Sequence, residues 1–178
     1  VFSNCIAHAN WSLPSVASML SGTHPTYHGT GLHNEVFPNE IKSVPARLSE
    51  VGYHTAGLSF NGYVNESTGL DSGFDQFQWL HKGNLLRGAG VKTTLKYLWL
   101  LRQHSAGYTL GSTRKHSTDF IVREVAKQWL QSMTERQPYF LFIHMTAAHR
   151  PYYPPIPYQD RYADTFEVSE ELLDFVLD

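Results

Sequence analysis

N-W-S-L-P-S-V-A-S-M-L-S-G-T-H-P-T-Y-H-G, residues 10–29, sets a serine at a helix start and closes that helix with a Gly/His/Pro turn. S-L-P-S-V-A-S-M-L-S predicts the helix. Pro14 suits a first turn, where its missing N–H is no loss. Ser12 or Leu13 falls at the cap, and Gly22 can end the helix in a left-handed conformation. Two readings of Ser12 stand side by side. It is a plain cap, a common use of serine, or it is a nucleophile held where free backbone N–H groups and the helix dipole favour negative charge.

The flanks of this stretch predict an α/β fold. V-F-S-N-C-I-A (1–7) reads as a short strand. V-P-A-R-L-S-E-V-G (44–52) reads as a short helix with Pro45 in its first turn and Gly52 at its end, and Y-H-T-A-G-L-S-F (53–60) as the next strand. Helix and strand in short alternation is the rhythm of a sheet covered by helices. N-G-Y-V-N-E-S-T-G-L-D-S-G-F-D-Q-F (61–77) reads as a loop held by Phe74 and Phe77. A helix over roughly 118–133 carries Ile121, Val122, Val125, Trp129 and Met133 on one face. Y-F-L-F-I-H-M (139–145) is a continuous apolar run, the pattern of a strand buried on both faces of a parallel sheet. A proline-rich loop, A-A-H-R-P-Y-Y-P-P-I-P-Y (147–158), follows it, and the tail from Asp164 is acidic.

The totals fit one domain of 178 residues, 42% hydrophobic and 17% charged, long enough to bury a core. The formal net charge of −2 is too small to argue for or against nucleic acid, and none is expected as a partner. The single cysteine, Cys5, excludes an internal disulfide and leaves the compartment open. Y-L-W-L-L (97–101) and Y-F-L-F-I (139–143) are too short to span a bilayer. The chain opens on Val1 inside an apolar run and reads as a piece of a longer one. Half of its 14 Lys and Arg residues fall in 80–116, a segment with no Asp or Glu. L-K-Y-L-W-L-L-R inside it reads as a short amphipathic helix. This basic segment is read as an insertion: either a solvated one, or a surface for an anionic substrate, an acidic partner or a phospholipid membrane.

Ligands of open α/β sheets bind beyond the carboxyl ends of the strands. Ser12 follows the first expected strand, and His149 follows the most apolar one. A serine needs a base or a metal to become a good nucleophile, and a nearby histidine can bind an oxyanion or protonate a leaving group. The remaining polar groups are read as structural: His24, His28 and His33 around the turn, Asp71 and Asp75 as turn and cap residues, and His144 within its strand. Asn10 and Asn65 head glycosylation sequons, a pattern common by chance.

The residues in 10–29 resemble the signature of the sulfatase branch of the alkaline phosphatase superfamily, (Cys/Ser/Thr)-x-Pro-(Ser/Ala)-x-x-(Ser/Ala)-x-x-(Thr/Ser)-Gly-x-x-Pro-x-x-His-Gly. S-V-P-A-R-L-S-E-V-G-Y-H-T-A-G (43–57), G-L-D-S-G-F-D-Q-F (69–77) and P-Y-F-L-F-I-H-M-T-A-A-H-R-P-Y-Y-P-P (138–155) resemble further motifs of the same family, in the same order. The resemblance implies a mostly parallel sheet sandwiched between helices, here an incomplete, N-terminal part of the domain. It implies a metal-dependent hydrolase of sulfate esters, with Ser12 as nucleophile and metal ligand and His149 on the oxygens of the ester group. Asn61 and Tyr152 are expected at the substrate. The expected ion is Ca2+, with Mg2+, Mn2+ or Zn2+ as alternatives. The substrate is a small-molecule, glycan-linked or lipid-linked sulfate or phosphate ester. The carboxylates that complete the metal site are expected ahead of residue 1 and beyond residue 178.

Two departures bear on the chemistry. Conversion of the nucleophile to formylglycine requires an arginine four residues on, where this chain has Val16. The lysine-histidine pair expected after the 43–57 motif is replaced by S-F-N-G-Y (59–63). Both favour an unmodified serine, and so a phosphodiesterase or a phosphoryl or phosphoethanolamine transferase as the alternative activity. A sulfatase-like binding protein without catalysis is the alternative of another class.

Overall fold

The computed structural model describes residues 6–81, 83–104, 119–133, 137–146 and 149. The helices are α1 (Ser12–Ser21), α2 (Pro25–His28), α3 (Val44–Glu50), α4 (Leu85–His104) and α5 (Asp119–Ser132), and the strands β1 (His54–Ser59), β2 (Gln76–Trp79) and β3 (Tyr139–His144). The strands form one parallel sheet in the order β2-β1-β3, with Gly57 level with both Phe77 and Phe142. Parallel neighbours need long crossovers. α4 and α5 lie in the crossover from β2 to β3.

The two faces of the sheet carry separate apolar clusters, which makes three layers. Side chains alternate along a strand, so Leu141 and Ile143 of β3 pack on one side with Leu58, Tyr97, Ile121 and Val122. Phe142 packs on the other with Leu13, Val16, Leu20 and Val64. Burying a leucine-sized side chain stabilises by about 1.5–3 kcal/mol, so each cluster holds its helices firmly against the sheet. β1 is the buried strand, enclosed from Thr55 to Ser59.

Several expectations are corrected. Gln76 and Phe77, expected at the end of the 61–77 loop, form β2 with Gln78 and Trp79, because pairing with β1 decides the conformation of a four-residue segment. The short helix expected at 95–102 is the second half of the longer α4, which bends at Gly90 (φ 78°). β3 is half-buried rather than enclosed on both faces, because among the described strands it stands at an edge of the sheet. Trp129 and Met133 leave the apolar face expected of them. Trp129 stacks on His54, and Met133 follows the end of α5. Of the strand expected at 1–7, Ile6 and Ala7 are irregular and the rest lies outside the described residues. The proline-rich loop at 150–158, with Tyr152, and the acidic tail also lie outside them. None of the described helices is long and apolar enough to cross a membrane.

Candidate active site

Ser12 is the first residue of α1, not its cap. The cap position belongs to Trp11, which is extended (φ −145°, ψ 167°) and gives the helix no side-chain hydrogen bond. A cap serine would spend its oxygen on the N–H groups of the first turn. Ser12 keeps its oxygen for another partner. The first turn also lacks an acidic residue, so the positive end of the helix faces outward without an internal counter-charge.

Three devices hold α1 in place. Gly22 ends α1 in a left-handed conformation and donates its N–H to Ser18 O at 2.8 Å. One turn back from that end, the Ser18 hydroxyl meets His28 Nε2 at 3.0 Å. The backbone N–H of Thr30 donates to His28 Nδ1 at 3.0 Å, which places the ring proton on Nε2 and makes Ser18 the acceptor. Burial, with the nearby His24 adding to it, lowers the pKa of His28 and keeps it neutral. Gly31 is the third device. Its φ is +76°, and a Cβ there would lie 2.7 Å from Pro14 Cδ and 2.9 Å from Trp11 Cζ2. Only glycine lets the 29–34 turn rest against the first turn of α1.

The partner of Ser12 comes from the end of β1, 49 residues away. Asn61 Nδ2 donates to Ser12 Oγ at 3.2 Å. The orientation of that amide is set by its other end, because the N–H of Tyr63 donates to Asn61 Oδ1 at 2.8 Å. The turn begins at the buried Ser59, whose hydroxyl accepts the Asn61 N–H at 3.1 Å. Such side-chain turns are how Ser and Asn leave regular structure. A donor on Oγ favours the alkoxide over the hydroxyl. An amide cannot accept the proton, so Asn61 stabilises the charge and does not act as the base.

A recess of about 500 Å³ opens beside α1. Trp11, Ser12 and Ser15 of the α1 start line it, together with Phe142 and His144 of β3 and Met145 just after that strand. Burial lowers the pKa of His144, against the pull of the Asp119 carboxylate. Asp119 also caps the end of β3, accepting the N–H of Thr146 at 3.0 Å. Reading the sequence set His144 aside as a strand residue. The signal was present: it ends a strand, where ligands of parallel sheets bind, and it shares the α1 face with Phe142. His149 is exposed and sits in the bend after β3, its backbone N–H bonded to Thr146 O at 3.0 Å. The structure thus joins Ser12 to Asn61 and puts His144 on the same recess.

Asp75 has a structural place. It accepts the Thr55 N–H at 2.8 Å and the Ser49 hydroxyl at 2.9 Å at the amino end of the sheet. Asp71 accepts the Phe74 N–H through its carbonyl, in the turn before β2. No three His, Cys, Asp or Glu side chains come together among the described residues. These residues alone do not make a cation site, and Ser12 contributes one oxygen at most.

The family model for sulfatases matches residues 1–173, nearly the whole chain. The chain belongs to the sulfatase family. No curated protein matches it. The three-stranded parallel sheet with helices on both faces agrees with the sulfatase and alkaline phosphatase-like fold. Membership makes it a hydrolase-type chain of a family that uses a divalent metal.

Proposed function

We propose that this chain carries the nucleophile end of a metal-dependent hydrolase that cleaves sulfate esters. Family membership sets the class of reaction. The observation that supports a working site is the Asn61–Ser12 contact at 3.2 Å, at an uncapped helix start beside an open recess.

In this reading Ser12 Oγ attacks the sulfur. The bond from sulfur to the alcohol oxygen breaks, and the proton that Ser12 gives up ends on the departing oxygen. Water then attacks the Ser12 ester, releases sulfate and restores the hydroxyl. Asn61 and the open N–H groups of α1 hold the negative charge that collects around the nucleophile. His149, in the bend after β3, and Tyr152 are assigned to the oxygens and the border of the substrate. The metal assignment rests on the family, with Ca2+ as the expected ion and Ser12 as one of its ligands.

Val16 favours a second reading. With no arginine at that position, position 12 stays a plain serine, which suits attack at phosphorus by a phosphodiesterase or a phosphoryl transferase. One comparison separates the readings. The full-length protein is assayed with nitrophenyl sulfate, nitrophenyl phosphate and bis-nitrophenyl phosphate, beside Ser12→Ala. Sulfate turnover that the variant loses supports the first reading. Turnover of phosphate esters alone replaces it with the second, and equal turnover by Ser12→Ala ends both.

A further inference from the structure

His144 closes β3 level with Ser59, the residue whose hydroxyl turns the chain toward Asn61. The backbones are tied there as well, the N–H of Phe60 donating to His144 O at 3.3 Å. Phe142, two residues earlier on the same face, packs into the α1 cluster. Its ring lies 6.3 Å from the imidazole. His144 is therefore carried by the sheet to the level of the Ser12 partner and forms a wall of the recess that contains Ser12.

Its polar atoms are unequally placed. Nδ1 is enclosed and finds no hydrogen-bond partner among the described residues. A buried polar atom left in this way is costly, and exceptions of this kind call for a use. A neutral imidazole carries one N–H. An unmet lone pair costs less than an unmet N–H, so the proton belongs on Nε2. The ring then offers one donor. S-F-N-G-Y (59–63) at the end of β1 brings an amide and a phenol to this end of the sheet but no imidazole. The neighbouring strand supplies one.

We propose that His144 is a further catalytic residue of the same site, donating a hydrogen bond from its imidazole to an oxygen of the sulfate or phosphate group that Ser12 attacks. The assignment rests on the Ser12 reading above. Charge on those oxygens is redistributed as the ester bond breaks, so a fixed donor there acts mainly on kcat.

The test uses the full-length enzyme with His144→Phe, which removes the donor and keeps a ring, and His144→Gln, which keeps an N–H. The expected result is a kcat about 100-fold lower in His144→Phe, with KM changed much less and Tm preserved. Partial recovery is expected in His144→Gln. A folded His144→Phe with wild-type kcat overturns the proposal. Ser12→Ala runs in parallel. Turnover kept there overturns the Ser12 reading, and this assignment with it. Turnover lost there but kept in His144→Phe overturns His144 alone. If the Phe variant does not fold, the wild-type protein decides. Inorganic sulfate and inorganic phosphate are titrated separately while the ring-nitrogen NMR signals of His144 are followed. Movement of Nε2 supports contact, and the anion that causes it names the ester class. No movement with either overturns the proposal.

Discussion

The two ends of the sheet carry similar side chains and treat them differently. At the amino end, Ser49, Asp75 and His54 stand together. The Asp75 carboxylate takes the Ser49 hydroxyl and the Thr55 N–H, and it lies 3.4 Å from His54 Nδ1. The His54 ring stacks on Trp129 at 5.7 Å, and Trp129 Nε1 donates to Gln76 Oε1 at 3.0 Å. Each group is engaged, and the serine bonds the carboxylate rather than the histidine, so nothing there prepares a nucleophile. At the carboxyl end, Ser12 accepts one donor at an uncapped helix start, and His144 Nδ1 has no partner among the described residues. A serine, a histidine and an acid make a scaffold where their bonds close on one another. They offer a site where bonds are left to a ligand.

Mutations at matched positions break or sharpen this contrast. The largest expected effect is at Ser12. Ser12→Ala in the full-length enzyme is expected to cut turnover by at least about 1,000-fold with the fold intact, whereas Ser49→Ala leaves turnover unchanged. Parallel assays with Tm measurements check both. Gly31→Ala ranks next. The strained φ and the approach to Pro14 and Trp11 predict a loss of about 1–3 kcal/mol in chemical denaturation, with turnover lowered because the start of α1 must shift.

The histidine under α1 gives a pH prediction. His28 is held neutral in the fold, its pKa lowered chiefly by burial. Its contribution is complete above the ordinary histidine value of about 6.5 and is lost as pH falls through the lowered folded value. His28→Gln is expected to flatten that part of the stability curve, measured as the denaturation midpoint against pH. A curve unchanged by the substitution would show that His28 does not carry this dependence.

The amino end titrates lower. The Thr55 N–H foremost, then the Ser49 and Thr55 hydroxyls and His54, outweigh desolvation and lower the pKa of Asp75. Its stabilisation is present above the unfolded carboxylate value of about 3.9 and fades as pH falls through the folded value. Asp75→Asn is expected to cost about 1 kcal/mol, since the carboxylate is partly exposed and solvent screens it. The smallest effect belongs to Ser49→Ala, about 0.5–1 kcal/mol, read from the same denaturation curves.

How much of this was legible in the sequence follows the range of the interactions. α3 was readable because its signals are local. Ser43 caps it by accepting the Ala46 N–H, Pro45 sits in its first turn and Gly52 follows its end at φ 89°. The end of α1 was readable from Gly22 for the same reason. Its cap, expected at Ser12 or Leu13, lies one or two residues earlier at Trp11, which the turn around Gly31 packs against the helix. β2 was hidden, since Gln76 to Trp79 become a strand only by pairing with β1. α4 was cut short by its glycines, although Ala89 and Tyr97 bury themselves beside α5 and extend the helix.

The site was half legible. Ser12 was named from its place at a helix start and Asn61 through a resemblance, and no local pattern joins residues 49 positions apart. His144 was missed because an apolar run conceals its face. Only the strand register sets it level with Ser59.

The measurement that bears most directly on the account follows the bond it says is made. The full-length protein is mixed with excess nitrophenyl sulfate or nitrophenyl phosphate and quenched during turnover. The peptide containing residues 10–29 is then weighed by mass spectrometry. The account predicts a sulfate or phosphate adduct on Ser12, absent in Ser12→Ala. An unmodified Ser12 throughout turnover, with full activity in Ser12→Ala, would contradict it.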